Sequence, residues 1–166
     1  MAVVALKTTQ ITNADATPPT MNPVTLWGGR VRSQVGTVEV TNGDSIGSTY
    51  RLCRVPSNAR VERISLLCDA FTSAAADLGL YQTAATGGAV VDADAYGSAI
   101  SIASAISTTV TNHAHEARDV ANITKRVYED AGLSTDSQRE YDIAITLTAA
   151  ATATGTVSAV IHYVVD

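Results

Sequence analysis

The residue types in this 166-residue chain that could do chemistry are three histidines, two cysteines and a pair of closely spaced aspartates. In His113-Ala114-His115-Glu116 the two imidazoles would share one face of a strand, a spacing that can hold a metal ion. A third ligand would have to come from elsewhere, and His162 lies in the last apolar run with nothing to bring it near. The pattern is read as two loop histidines, and no metal ligand is assigned. Asp92-Ala93-Asp94 offers oxygen ligands to calcium, but no twelve-residue loop with a closing glutamate follows. Cys53 and Cys68 fall in alternating runs and read as small buried hydrophobes, not as a disulfide. Gly28-Gly29 and Gly87-Gly88 lie in no GxGxxG or phosphate-loop pattern, and no GxSxG is present. Nothing in the chain supports catalysis, and no catalytic residue or cofactor is assigned.

Charge points to contact instead. Eleven Lys/Arg stand against sixteen Asp/Glu, a net charge of −5. Residues 1–63 hold seven basic and four acidic side chains, net +3, and residues 64–166 hold four and twelve, net −8. A chain polarised in this way can dock one end on an oppositely charged neighbour. The basic set Arg51, Arg54, Arg60 and Arg63 brackets a turn without the interleaved aromatics that nucleic-acid binding needs, so no nucleic-acid partner is expected. No run of about 18 apolar residues exists to cross a membrane. The first ten residues lack a cleavable apolar segment of secretory length, so use without signal-peptide secretion is expected. Apolar residues make up 46% of the chain but aromatics only 5%, which suits thin, tightly packed sheets and leaves few bulky side chains to line a ligand pocket.

The elements that must position these residues read as strands. Residues 50–55, 64–70 and 78–82 alternate, with Leu52 and then Ile64, Leu66, Cys68 and Ala70 facing a core and Leu67 as an exception. Pro56 to Ala59 is a turn, and Phe71 to Ala76 is small and polar enough for a loop. Val38 and Val40 face inward on a strand before the Asn42-Gly43-Asp44 turn, and Ile100, Ile102 and Ile106 share a face further on. Val120, Ile123, Val127 and Ala131 follow a helical stripe over about 119–131, with Asp119 as N-cap and Gly132 as C′ residue; Lys125, Arg126, Glu129 and Asp130 form its wet face. Residues 141–147 and 157–165 alternate again and are expected to pair as an antiparallel hairpin. The fold class is mainly β: an antiparallel β-sandwich, jelly-roll-like, with one short helix. Residues 1–35 read as an extended N-terminal arm, rich in proline around Thr12–Pro23, and residues 36–166 as the sandwich domain. Trp27, the single tryptophan, is an anchor that caps the sandwich or inserts into a neighbouring subunit. With Arg30, Arg32, Arg51, Arg54, Arg60 and Arg63 it makes up the candidate interface set.

Several stretches carry a resemblance: TNADATPPTMNP and WGGRVRSQVGTVEV, then VPSNARVERISLLCDAFTSAAADLGLY, then DVANITKRVYEDAGLSTD and the closing YDIAITLTAAATATGTVSAVIHY. In that order they resemble a family of small head proteins of tailed bacteriophages, encoded beside the major capsid protein. The resemblance covers most of the chain. It implies a decoration (cement) protein made in the host bacterial cytoplasm and carried on the outer surface of the capsid. Such a protein binds the major capsid protein and itself, as a trimer, bridges neighbouring capsomers and has no active site. The other readings are a tail, neck or fibre-base protein of the virion, or a carbohydrate-binding β-sandwich module; the last needs clustered aromatic platforms, and one Trp and six Tyr are scattered here.

Overall fold

The computed structural model describes residues 4–108, 111–115 and 118–165. Seven antiparallel strands form two packed sheets: β1 (Val31–Val40), β2 (Thr49–Pro56), β3 (Arg60–Cys68), β4 (Ala75–Gln82), β5 (Val90–Ser101), β6 (Glu140–Ala149) and β7 (Gly155–Val164). One sheet has the order β1-β7-β3 and the other β2-β6-β4-β5. The mainly-β sandwich expected from alternation is the fold of this chain.

The alternation places the core as read. Ile64, Leu66 and Cys68 on β3, Leu78 and Leu80 on β4, Tyr141, Ile143, Ile145 and Leu147 on β6, and Val157, Ala159, Ile161 and Tyr163 on β7 are all buried. Ala70 lies beyond the strand and is exposed. On β2 a bulge between Arg51 and Cys53 shifts the register, so Cys53 and Val55 enter the core and Leu52 is only half-buried. Gly36 on β1 is where β2 approaches: a Cβ there would collide with the Leu52 carbonyl oxygen.

The closing strands do not pair with each other. β6 bonds to β2 and β4, whereas β7 bonds to β1 and β3 in the opposite sheet. The 150–154 connection crosses between sheets and is tied to the 41–47 loop, where Ala151 N donates to the Asp44 carbonyl and Gly43 N to the Ala151 carbonyl. Two apolar faces of this size bury each other when stacked, which a side-by-side hairpin cannot do. The connections from β1 to β2, β2 to β3 and β3 to β4 also change sheet, and β4–β5 is the one pair of consecutive strands bonded to each other.

The helix expected over 119–131 contracts. A 3-10 turn covers Val120–Asn122 and α2 covers only Val127–Asp130. Asp119 does accept from Ala121 N, at 2.9 Å, and Gly132 takes the left-handed conformation at φ 77°, with Leu133 N folding back to the Tyr128 carbonyl. Between them the helical ladder is broken because Val127 N and Tyr128 N donate to the Ala59 and Ser57 carbonyls of the β2–β3 turn. Arg126 is therefore extended, and of the anticipated stripe Val127 is wholly buried while Val120 and Ile123 are exposed. Phe71, expected in a plain loop, is fully buried and plugs the end of the sandwich beside Gly155.

The segment before β1 is not simply extended. Thr9–Asp15 forms α1, capped by Thr8, whose Oγ1 accepts from Ile11 N. The chain returns over 16–22 and is tied back by Asn13 Nδ2 to Asn22 Oδ1 at 2.8 Å and Asn22 Nδ2 to the Gln10 carbonyl at 3.0 Å. Asn and Thr side chains supply these bonds, which a reading from proline content alone does not foresee. Residues 4–8 have no regular structure.

Candidate interaction surfaces

The four arginines of the 51–63 cluster are engaged within the chain. Arg51 and Arg54 clamp the carboxylate of Asp142, whose side chain is 5% exposed on β6: Arg51 Nη1 at 3.0 Å, Arg54 Nε at 2.6 Å and Arg54 Nη2 at 3.2 Å. Arg51 also donates to the Gln82 and Gly88 carbonyls and lies over the Tyr81 ring at 5.3 Å. Asp142 is the partner that sequence reasoning missed. Its strand position puts it on the face opposite Ile143, but only the β2–β6 register brings it to Arg54. Asp77 accepts from Ala99 N at 2.7 Å, where Ala99 has φ 51°.

Arg60 holds the arm. Its Nε donates to the Thr25 carbonyl at 2.9 Å and its Nη2 to Glu62 at 2.5 Å. Thr25 is the one buried residue between residues 4 and 30. Arg63 Nε bonds Ser65 Oγ at 3.0 Å. Trp27, Arg30 and Arg32 are exposed, Trp27 by 50%, as Arg51, Arg54 and Arg63 also are, but neither Arg30 nor Arg32 has an ion pair among the described residues. Among the described residues thirteen large apolar side chains stand exposed, and eight of them lie between Val4 and Val35. Met21, Val24 and Trp27, with Pro19 and Ala14, line a largely apolar cup of about 380 Å³ on the arm.

The histidines sit against β3. His113–His115 is a 3-10 turn in which His113 is buried, and the adjacent Asn112 accepts from Ile64 N. Burial, with the charges of Arg118 and Arg60, pushes His115 below the usual imidazole range, so it is neutral at pH 7. Glu116 lies outside the described residues, and among those described no three His, Cys, Asp or Glu converge. Both cysteines are free and buried, and burial pushes both thiols up, away from the reactive thiolate.

A buried polar cluster fastens the 118–130 segment to β5. Arg118 and Asp130 pair at 3.1 Å with side chains 5% and 8% exposed, so Asp130 is not on a wet face. Arg118 also donates to the Asn122 and Lys125 carbonyls and stacks on Tyr96 at 5.7 Å, while Tyr96 Oη donates to Asp130 Oδ2 at 3.3 Å. Burial outweighs the arginine and lifts the Asp130 carboxyl to about 6. Burial, then a hydrogen bond and like charge from Asp94, pushes Asp92 up as well. These features stabilise surfaces and contain no nucleophile with an adjacent base.

Comparison with solved structures finds the same fold. A chain in the capsid asymmetric unit of cyanophage Pam1 is 16% identical, covers 84% of this chain and 88% of its own length, and superposes with a TM-score of 0.51. A chain in the capsid of Ralstonia phage GP4 is 13% identical, covers 83% and 86%, and gives 0.59. No protein-family model and no curated protein matches the chain.

Proposed function

We propose that this chain is a structural component of a bacteriophage virion, a decoration (cement) protein without enzymatic activity. In this reading it binds the outer surface of the capsid as a trimer and bridges neighbouring capsomers. Its partners are the major capsid protein and further copies of itself. The observation that carries the reading is the shared fold: chains in two phage capsid structures superpose over more than four-fifths of this one. The surface supports it, because among the described residues most of the exposed large apolar side chains gather on the arm and the start of β1. Cement function needs many modest contacts repeated by symmetry, so each copy contributes little while the shell gains much.

The division into an arm, 1–35, and a sandwich, 36–166, belongs to this proposal: the arm grips the shell and a flank of the sandwich meets other copies. Trp27 and the cup around it are the anchor. The test is a virion reconstruction combined with binding of the purified chain to empty shells. Density on the outer head surface, and loss of occupancy when residues 1–26 are removed, are expected. Density along the tail would favour the tail or neck reading, and absence from particles would overturn both.

A further inference from the structure

Two surfaces that the fold leaves bare are complementary in charge and cannot meet within one chain. The first is the opening of β1. Arg30 and Arg32 are exposed there without ion pairs among the described residues, and Val31 and Val35 are 56% and 68% exposed. The second joins the 119–130 segment to β5. Val120 and Ile123 are 81% and 43% exposed, and Asp92 and Asp94 stand exposed two residues apart on one face of β5. Between them lies a concavity of about 190 Å³ walled by Asp92, Ala95, Arg118, Asn122, Lys125, Glu129 and Asp130. Lys125 and Arg126 are the basic groups in this segment, against Asp92, Asp94, Asp119 and Glu129. Arg118 lies buried behind this surface with its charge met by Asp130.

The two surfaces sit on opposite flanks. β1 borders β2, whereas β5 is the far edge of the β2-β6-β4-β5 sheet. We infer that the basic, apolar start of β1 in one copy docks on the acidic, apolar Val120/Ile123/Asp92/Asp94 patch of a second copy. The contact is head-to-tail, so a closed ring satisfies both surfaces in every subunit. Val31 and Val35, on one face of β1, cover Val120 and Ile123, and Arg30 and Arg32, which alternate with them, reach round the strand edge to the two aspartates. The net +2 of residues 1–35 comes from Arg30 and Arg32, because Lys7 is paired with Asp15, so this charge sits at the start of β1 in the sandwich. The inference details the self-association part of the reading above and uses a surface distinct from the Trp27 cup.

The experiment is sedimentation velocity of the full chain, with circular dichroism as the fold control. Wild type is expected to associate, less so as salt rises to about 0.5 M, where screening shortens to a few ångströms. Arg30→Glu with Arg32→Glu, and separately Asp92→Lys with Asp94→Lys, are expected to raise the dissociation constant at least about tenfold. All four substitutions in one chain restore association, because the charges are exchanged and not lost. A monomeric wild type, unaffected charge variants, or a quadruple variant that stays apart would overturn the inference. A chain that associates as described yet is missing from particles would sink the virion reading alone. One that decorates shells as a monomer would sink this contact alone.

Discussion

Every strand from β1 to β7 contributes at least one buried side chain, while from Val4 to Arg30 only Thr25 is buried. The two regions are ordered by different means. The sandwich rests on apolar burial across two sheets, with one buried carboxylate clamped by two arginines. The arm rests on local side-chain hydrogen bonds, Asn13 to Asn22 and Lys7 to Asp15, and on one external fastening at Arg60. A region that buries so little leaves most of its apolar surface bare. The contrast therefore places the stability in one region and the bare apolar surface in the other.

The comparison breaks most visibly at Phe71. Truncation to alanine removes a fully buried aromatic from the end of the sandwich and is expected to cost about 3–5 kcal/mol. Urea denaturation measures it. A loss below about 1 kcal/mol would mean that this end of the core is not closed as described.

Asp130 sharpens the comparison within the body. Its carboxyl titrates at about 6 when folded and near 3.8 when unfolded, so the folded state binds the proton more tightly. Its contribution to stability is fully present below about pH 3.8 and is lost as pH rises through about 6. Relative to Asp130→Asn, wild type should therefore gain on the order of 2–3 kcal/mol as pH falls from about 7 to about 4, at 1.36 kcal/mol per pK unit. Thermal melts of the two proteins across that range give the difference. A wild-type curve parallel to the variant's would show that burial does not outweigh Arg118 at this carboxyl.

The smallest effect is expected in the arm. Deleting residues 1–24 removes no side chain that is buried among the described residues and should change the stability of the sandwich by no more than about 0.5 kcal/mol. Met21→Ala within the intact chain should be equally silent in urea. A destabilisation of several kcal/mol would show that the arm belongs to the core after all.

Much of this architecture was legible from alternation alone. Period-two patterning reports which side of a strand is wet, so the inward faces of β3, β4, β6 and β7 could be read directly. The glycine stop at Gly132 and the Asp119 cap were also readable, because both are local backbone chemistry. What alternation cannot report is the partner. The same inward face on β6 fits a hairpin with β7 or a stacked sheet opposite it, and the stacked arrangement buries both faces at once. The helical stripe at Val120 and Ile123 failed for a related reason: carbonyls of a distant turn took the amides that the helix needed.

The interaction surfaces divide the same way. The residue types and charge imbalance set out seven candidates, but position in the fold separates Arg51, Arg54, Arg60 and Arg63, which hold the chain to itself, from Trp27, Arg30 and Arg32, which do not. By itself the order of amino acids determined the strand faces, the scarcity of reactive groups and the polarity of charge, because each of these is a local property. The tertiary structure decided which strands are neighbours, which charges find partners and which apolar groups remain bare, because those outcomes depend on residues about 50 to 130 positions away brought within a few ångströms.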